Sequence, residues 1–523
     1  MGENGVDRDA KRAMEPKLAT GQNKRSRLMK LAHRLFHPGE RLSQRVIHAG
    51  FWAFALRITD RLFGLARTIV LARVLSPNDF GLFGIALLGL SALDTFSQTG
   101  FQQALIQKKG DIKPYLDTAW TVQVIRGFVL AGILFGIAPY VASFFGEPMA
   151  APLLRVLGLS AVFQGLTNIG VVYFQKELEF HKRFIYMFSG TLADLGVAIP
   201  AALILRNAWA LVFGLLAGNF VRMAVSYFIH PYRPRMWLDG PKVKELYAFG
   251  KWILGSSILV FLLNQGDDIF VGKLLGATML GFYQMAYRIS NMPATEITHV
   301  ISQVTFPAYS QLQDNIPRLR EAYLKVLQIT AFLSFPIAGL IFVLAPDFTK
   351  IFLGEKWMPM VPAMMALTWW GLIRSIGATT GPIFSGVGRP GIATKLQFVQ
   401  LIVLAILIYP LTARWEMLGT SLAVVFAALI ANLFSIYMVI EVTTCDMREF
   451  CKSLALPLLS TILMVLSIFV LRTLLARSGV IINFFSSVMV GTSVYAAATY
   501  GFDKVLGCRI RSNLKGLLVS FWR

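Results

Sequence analysis

Apolar runs about 20 residues long recur along almost the whole chain, and a run of that length is enough to cross a membrane as a helix. The first six lie at about 46–75, 80–105, 117–140, 152–175, 184–205 and 208–230. The next six lie at about 252–275, 279–308, 324–345, 357–386, 392–411 and 417–440. Two more, at about 453–471 and 480–500, bring the predicted number to fourteen. The chain is therefore expected to be an all-α, polytopic membrane protein.

The distribution of basic residues predicts how this chain is oriented. Its net charge is +22, but the basic residues are spread over short loops rather than gathered in a nucleic-acid-binding domain. With the N-terminus in the cytoplasm, 34 of the 50 Lys and Arg fall in tails and loops on that side, 9 on the opposite side and 7 within spans. This bias follows the positive-inside rule. We expect both termini in the cytoplasm, a location in the inner membrane and no nucleic-acid partner.

Six segments are predicted from the spans and the charged stretches. They are a basic cytoplasmic tail at 1–45, an N-lobe at 46–230, a cytoplasmic linker at 231–251, a C-lobe at 252–440, a last pair of spans at 453–500 and a cytoplasmic tail at 501–523. No loop between spans exceeds roughly 20 residues, and the sequence contains no nucleotide-binding P-loop. Three cysteines, Cys445, Cys451 and Cys508, fall on the cytoplasmic side, where thiols stay reduced. We expect no enzyme activity, no catalytic residues, no resident cofactor and no metal site.

An internal repeat appears without gaps at an offset of 200 residues. Between 50–86 and 250–286, 8 of 37 positions are identical, among them the pairs Gly50 and Gly250, Gly81 and Gly281. Six spans separate the copies, so both copies enter the membrane from the same side. The lobes are therefore expected to be parallel repeats related by an axis along the membrane normal, as in one class of secondary transporters.

The first span is apolar but carries Arg57, Asp60, Arg61 and Arg67. At about 100° per residue, most of these side chains fall on one face with Gly64. An ionised side chain at the bilayer centre costs about 3 kcal/mol even on lenient scales, so that face should meet a bundle interior or a water-filled cavity.

Two segments carry a family resemblance. Gly64 to Phe83 reads Gly-Leu-Ala-Arg-Thr-Ile-Val-Leu-Ala-Arg-Val-Leu-Ser-Pro-Asn-Asp-Phe-Gly-Leu-Phe, and Gly100 begins Gly-Phe-Gln-Gln-Ala-Leu. Together they resemble the start of polysaccharide exporters, the O-antigen (Wzx-type) flippases. That family belongs to the superfamily that also holds lipid II flippases and multidrug and toxin extrusion transporters. Arg67 and Arg73 match the family's basic position in the first helix.

The resemblance implies a fold and a function. It implies a V-shaped pair of six-helix lobes that moves undecaprenyl-pyrophosphate-linked oligosaccharide from the cytoplasmic to the periplasmic leaflet by alternating access. The implied partners are the lipid-linked oligosaccharide and membrane lipids, and a polysaccharide polymerase and chain-length or export proteins are candidate protein partners.

Arginines inside the spans are the main candidates for substrate binding. Arg57, Arg61 and Arg126 lie at similar depth in their spans and could meet, and a guanidinium binds pyrophosphate oxygens through a planar fork. Counter-charges are available at Asp60, Asp94 and Asp194, so pairing or helix packing is the alternative role. The full candidate set is Arg57, Arg61, Arg67, Arg126, Asp94, Gln98, Gln164, Asn168, Arg288 and Arg374.

Carboxylates in the second lobe are candidates for ion coupling. At the repeat offset, Asp267 and Asp268 stand where the first lobe has Arg67 and Thr68. A pair of membrane carboxylates can bind Na⁺ or H⁺ because desolvation and a like-charged neighbour raise the carboxyl pKa. Glu296 is the third candidate, and an ion pair between Asp267 and Arg288 or Arg374 is the alternative.

Two other functions fit parts of this pattern. An ion-coupled multidrug exporter of the same superfamily would favour an acidic cavity, whereas this first span is rich in arginine. A non-transporting scaffold of a glycan-assembly complex would use the buried charges only for pairing. Loss of export after charge reversal of the arginines, at unchanged expression and assembly, would argue against the scaffold.

The charge bias gives a testable topology. Reporter fusions after Arg235 and after Arg511 are expected to report cytoplasm, and a fusion near Gly146 is expected to report periplasm. A periplasmic signal at Arg511 would mean that the last two spans are miscounted.

Overall fold

The computed structural model describes residues 42–292, 305–475 and 477–506. Glu296, Cys508 and nearly all of the two predicted tails lie outside these residues. The helices are α1 Leu42–Val74, α2 Pro77–Phe96, α3 Phe101–Gln107, α4 Lys113–Phe145, α5 Ala150–Leu166, α6 Val172–Lys176, α7 Phe180–Leu205, α8 Trp209–Ile229, α9 Gly240–Ser290, α10 Ile316–Phe348, α11 Val361–Gly377, α12 Gly381–Gly386, α13 Gly391–Thr443, α14 Met447–Leu474 and α15 Val480–Leu506.

The fold is all-α, as the apolar runs predict, and eight of the described helices are long and apolar enough to cross a membrane. A ninth span results if α5 and the bent segment 169–176 are taken together. Two helices are broken internally: α9 at Gly276, with φ 83°, and α13 at Trp415 and Glu416. The number fourteen stays a prediction.

The second and fourth predicted spans are shorter than expected. Instead of continuing to 105, α2 ends at Phe96, and Gly100 turns the chain with a left-handed φ of 67° before α3 begins. Instead of continuing to 175, α5 ends at Leu166, and the chain bends by 70°. Both breaks expose polar side chains at membrane depth.

Two glycines at the repeat offset form a close contact between the lobes. A Cβ added to Gly81 would lie 1.7 Å from the carbonyl oxygen of Ala277, and one added to Gly281 would lie 2.0 Å from that of Pro77. Helix α2 therefore packs backbone against backbone on the segment 277–290 of α9. Residue 81 contacts residue 277, and residue 281 contacts residue 77, so the contact is reciprocal.

Further contacts along this crossing join residues of equal repeat position. The Thr278 hydroxyl donates to the Asn78 side-chain oxygen at 3.2 Å, and a Cβ on Gly84 would lie 2.3 Å from Oε1 of Gln284. Contacts between equal positions at several successive turns require the two helices to run in the same direction. The lobes are therefore parallel repeats about a pseudo-two-fold axis, as the sequence predicts.

A second reciprocal contact lies at the same end of the molecule. Arg73, at the end of α1, donates to the carbonyl oxygens of Ile351 and Phe352, beyond the end of α10. Lys273, at the same repeat position, donates to the carbonyl oxygen of Phe144 at the end of α4. Each cation thus satisfies free carbonyls at a helix C-terminus of the opposite lobe, where the helix dipole favours positive charge. Together with the glycine crossing, these contacts form what we call the interlobe seal.

The remaining helices complete the two lobes. In the first, α1 packs along α7, α4 along α5, and α7 along α8. In the second, α11 packs on α10 and α13, and the last pair, α14 and α15, packs on α10. Arg472 of α14 forms an ion pair with Asp347 of α10 at 2.9 Å.

Two cysteines lie among the described residues, and both are free thiols. Burial between α13 and α14, with the Glu449 carboxylate nearby, raises the pKa of Cys445 to about 11. This thiol is therefore protonated at neutral pH, whereas Cys451 is exposed.

The glycine crossing gives a stability prediction. Gly81→Ala and Gly281→Ala each force a Cβ into a backbone carbonyl, so we expect a loss of about 1–3 kcal/mol of stability and a lower melting temperature in detergent. Gly136→Ala is the matched control, since a Cβ there has no neighbour within 4 Å. Equal melting temperatures for all three variants would contradict the tight crossing.

Candidate functional site

An ion pair between α1 and α7 is the first element of the site. Arg67 Nε lies 2.9 Å from Asp194 Oδ2, and Nη2 donates to Oδ1 at 3.0 Å, so the two side chains form an ion pair with one charge-assisted hydrogen bond. The side chains are only 13% and 22% exposed. On the same face, the Thr191 hydroxyl of α7 donates to Asp60 Oδ1 at 3.1 Å. Two carboxylates predicted as counter-charges thus lie at the α1–α7 contact.

Small residues bring α8 close enough to α7 to support this pair. A Cβ on Gly214 of α8 would lie 2.4 Å from Asp194 Oδ1, and one on Gly190 of α7 would lie 2.3 Å from Arg222 Nε. Such positions let transmembrane helices approach closely and enclose polar side chains. The Asp194 carboxylate is therefore held between α1 and α8.

Arg288 brings the second lobe to this site. It lies on the segment 277–290 of α9, and a Cβ on Gly64 would lie 3.8 Å from its Nη2. Its charged neighbours are Arg67, Arg61, Asp194 and Asp60, all from the first lobe. Arg288 is nevertheless exposed, so it borders open space between the lobes.

We call Arg61, Arg67 and Arg288 the interlobe arginine cluster. In the described ranges, three guanidinium groups lie near two carboxylates there, and Arg57 is half-buried one helical turn before Arg61. The cluster has a surplus of positive charge and so can attract an anionic ligand.

A second polar site is a cavity of about 200 Å³ inside the first lobe, which we call the N-lobe pocket. It lies where α2 and α5 break off, and its lining includes four of the predicted residues: Asp94, Gln98, Arg126 and Gln164. Amide groups dominate its surface, since Gln102, Gln103 and Gln123 also line it. Groups of this kind can hydrogen-bond hydroxyls.

The expectation that Arg126 meets Arg57 and Arg61 is wrong. Arg126 binds the C-terminal end of α2: Nη2 contacts Asp94 Oδ1 at 2.6 Å and Nε donates to the Ser97 carbonyl at 2.9 Å. The early end of α2 frees carbonyls that attract this cation, and the apolar run that continues past Phe96 did not predict that end. Arg126 is thus a paired arginine.

Asn168 is also separated from the other candidates. Its side chain is fully buried, accepts from the Gly170 amide at 2.8 Å and donates to the Tyr232 carbonyl at 2.7 Å. These bonds hold the bend after α5 and leave the side chain outside the N-lobe pocket.

A third site is a cavity of about 360 Å³ within the second lobe, which we call the C-lobe pocket. Arg374 of α11 lies in its wall, with the guanidinium carbon 5.0 Å from the centre of the Trp370 ring. Four carboxamides that are not among the predicted site residues also line it: Asn264, Gln397, Gln400 and Asn432. The i, i+3 spacing of Gln397 and Gln400 in an apolar run was the available signal.

The two candidate carboxylates of α9 are each bound by a neutral donor. Asp267 accepts from the Tyr283 hydroxyl at 2.6 Å, and Asp268 accepts from the Gln284 amide at 3.0 Å. Within the described ranges, neither forms an ion pair with Arg288 or Arg374. Those ranges also contain no group of three or more His, Cys, Asp or Glu able to hold a metal ion.

Comparisons with known proteins agree on one family. The family model described as "Polysaccharide biosynthesis protein" matches residues 70–362, more than half of the chain. The chain is 27% identical to the lipopolysaccharide biosynthesis protein WzxC of Escherichia coli, over 80% of this chain and 85% of the relative. It is 24% identical to the succinoglycan biosynthesis transport protein ExoT of Rhizobium meliloti, over 61% and 69% of the two chains.

Solved structures share the fold at low sequence identity. The lipid II flippase MurJ, in an inward closed conformation, matches with a TM-score of 0.72 and 14% identity over 87% of this chain and 99% of that chain. An inward-facing multidrug resistance MATE family transporter matches with a TM-score of 0.57 and 17% identity, over 74% and 96%. The fold is therefore that of a two-lobe membrane transporter.

The Arg67–Asp194 pair gives a prediction on stability. Asp194→Asn and Arg67→Gln should each lower the melting temperature, since each strands a buried charge at a cost of about 3 kcal/mol. The double variant should recover part of the loss, because both charges are then gone. Losses that simply add would show that the two side chains are not coupled.

Proposed function

The chain belongs to the polysaccharide biosynthesis protein family, and on that premise we propose that it moves a lipid-linked oligosaccharide across the bacterial inner membrane by alternating access. Its family and its structural neighbours are transporters and flippases, not enzymes. The single observation that carries the proposal is the interlobe arginine cluster. Three guanidiniums from both lobes lie together there and outnumber the carboxylates near them in the described part of the chain, and Arg288 is exposed.

The surplus charge suits a diphosphate. Arg67 is ion-paired with Asp194, so Arg288, which is exposed, is the cluster member that would contact the ligand most directly, together with Arg61. Guanidinium forks bind phosphate oxygens through paired, charge-assisted hydrogen bonds. A diphosphate held between them would bridge the lobes, and the undecaprenyl chain would stay in lipid. Arg57 extends this positive face toward the predicted cytoplasmic end of α1.

The interlobe seal supports alternating access. In this structure the lobes touch backbone to backbone at the α1–α2 turn, and the arginine cluster lies away from that turn. Release on the periplasmic side then requires the contacts of Gly81, Gly281, Arg73 and Lys273 to part. Sugars next to the diphosphate would reach the N-lobe pocket, where Gln98 and Gln164 hydrogen-bond hydroxyls.

Ion coupling is assigned to Asp267 and Asp268. Both lie in α9, whose later segment carries Arg288 and one side of the interlobe seal. Binding of H⁺ or Na⁺ at these carboxylates would act directly on the helix that moves. Glu296 follows on the same stretch of sequence and is the third coupling candidate.

This function sets the expected surroundings. Both termini lie in the cytoplasm, and the protein works beside a polysaccharide polymerase and chain-length or export proteins. The two buried carboxylates would equally serve an ion-coupled multidrug exporter of the same superfamily, which is the second candidate.

Export assays on the arginine cluster test the proposal. Arg61→Ala and Arg288→Ala are expected to lower export of the lipid-linked glycan at least tenfold, because each removes one charge-assisted fork worth about 1.5–3 kcal/mol. Lys at either position should restore only part of the activity, since it keeps the charge and loses the fork. Export is measured in cells, next to the amount of variant in the membrane.

Arg155→Ala is the matched control. This arginine is also in the membrane part of the first lobe, but it is exposed and stacks on Phe135 at 5.0 Å. It should export normally. Full export by both cluster variants, or loss only where the protein fails to reach the membrane, would overturn the proposed binding site. Resistance to lipophilic cations that depends on Asp267 and not on Arg288 would favour the multidrug exporter.

A further inference from the structure

The C-lobe pocket contains a cation, Arg374, for which the described part of the chain supplies no counter-charge. Among the described residues, Arg374 forms no ion pair, and its contacts are the face of Trp370 and the side chain of Tyr287. Trp370 is only 5% exposed, and its ring lies 4.8 Å from that of Tyr287. The two rings lie against the guanidinium, and Arg374 is part of the wall of the cavity.

Comparison with Arg126 shows what is unusual here. Arg126 also lines a polar pocket, but Asp94 neutralises it, and Nε and Nη2 donate to carbonyls at the end of α2. A charged side chain without a counter-charge costs free energy within the membrane, so we expect water or an anionic ligand beside Arg374 in the cavity. The N-lobe pocket is thus neutral, and the C-lobe pocket is cationic.

Neutral amides surround the charge in the C-lobe pocket. Gln397, Gln400 and Asn432 line the cavity together with Arg374 and are half-buried, and Asn264 lies on α9. A carboxamide offers two donors and one acceptor, which suits vicinal hydroxyls. A volume of about 360 Å³ falls in the range of small-ligand sites, so one sugar ring fits.

The charge count separates this pocket from a diphosphate site. One guanidinium fork matches one carboxylate, whereas a diphosphate carries at least two charges and would meet the three arginines of the interlobe cluster instead. Within the described ranges, the C-lobe pocket contains a single basic residue in its wall.

From these observations we propose that the C-lobe pocket binds a carboxylate-bearing sugar unit of the transported glycan. Arg374 pairs with the carboxylate, and Gln397, Gln400 and Asn432 hydrogen-bond the ring hydroxyls. The proposal rests on the proposed function, because it assigns a second part of the same substrate. It makes the protein selective for acidic glycans.

Binding of two matched sugars tests the site. The probes are methyl β-D-glucuronoside and methyl β-D-glucoside, which differ only at C6, added to the full chain in nanodiscs and followed by saturation-transfer NMR. The wild-type chain should bind the glucuronoside about tenfold more tightly, in keeping with one charge-assisted pair. Arg374→Gln should remove this preference, and Arg374→Lys should keep part of it.

A matched control and a competitor make the result specific. Arg414→Gln removes an arginine that also stacks on a tryptophan, Trp415, at 5.4 Å, but outside the pocket, so the preference should persist. Inorganic pyrophosphate at equal concentration should not displace the glucuronoside. Equal binding of both sugars by the wild type, a preference that survives in Arg374→Gln, or displacement by pyrophosphate would each overturn the proposal.

Failure of the acidic-sugar site can be told apart from failure of the proposed function. Export by the Arg61 and Arg288 variants tests translocation, whereas sugar preference tests only the C-lobe pocket. A chain that exports glycan but shows no preference refutes the acidic-sugar site alone.

Discussion

The cost of placing an ionised side chain in a bilayer governs this structure. Each such group must be paired, bound to free carbonyls or placed beside water. Arg67 follows the first route with Asp194, and Arg73 follows the second at a helix end of the opposite lobe. Arg288 follows the third and borders open space between the lobes. The charged residues thereby fix where helices touch and where they must stay apart.

Small residues lie at one end of the lobe interface and charged residues lie farther along it. Near the α1–α2 turn, Gly81 and Gly281 let backbones meet, which gives close van der Waals contact and excludes ligand. Farther along the interface, arginines of α1 and of the later segment of α9 lie close together. The later segment of α9 takes part in both regions, since Gly281 and Arg288 both lie on it.

The sequence predicted the all-α class and the parallel repeat, because both depend on long-range periodicity that apolar runs and the pairs Gly81 and Gly281 preserve. It also pointed to Asp194 as a counter-charge. It offered Asp94 as a counter-charge for arginines such as Arg126, but it missed the carbonyls at the end of α2, because that end falls inside an apolar run. It missed the role of Asn168 because one of the hydrogen bonds of this side chain goes to the Tyr232 carbonyl, which is distant in the sequence.

The glycine crossing also indicates an origin of this chain by duplication of one half. Residues 77 and 81 contact residues 277 and 281 in both directions, so the interface is isologous in kind, like that of a symmetric dimer. A single six-helix half that paired with a second copy of itself would set one glycine against its own equivalent. After gene duplication and fusion, the two copies would not be free to diverge at this crossing. A larger side chain on the helix of either copy would meet the backbone of the other.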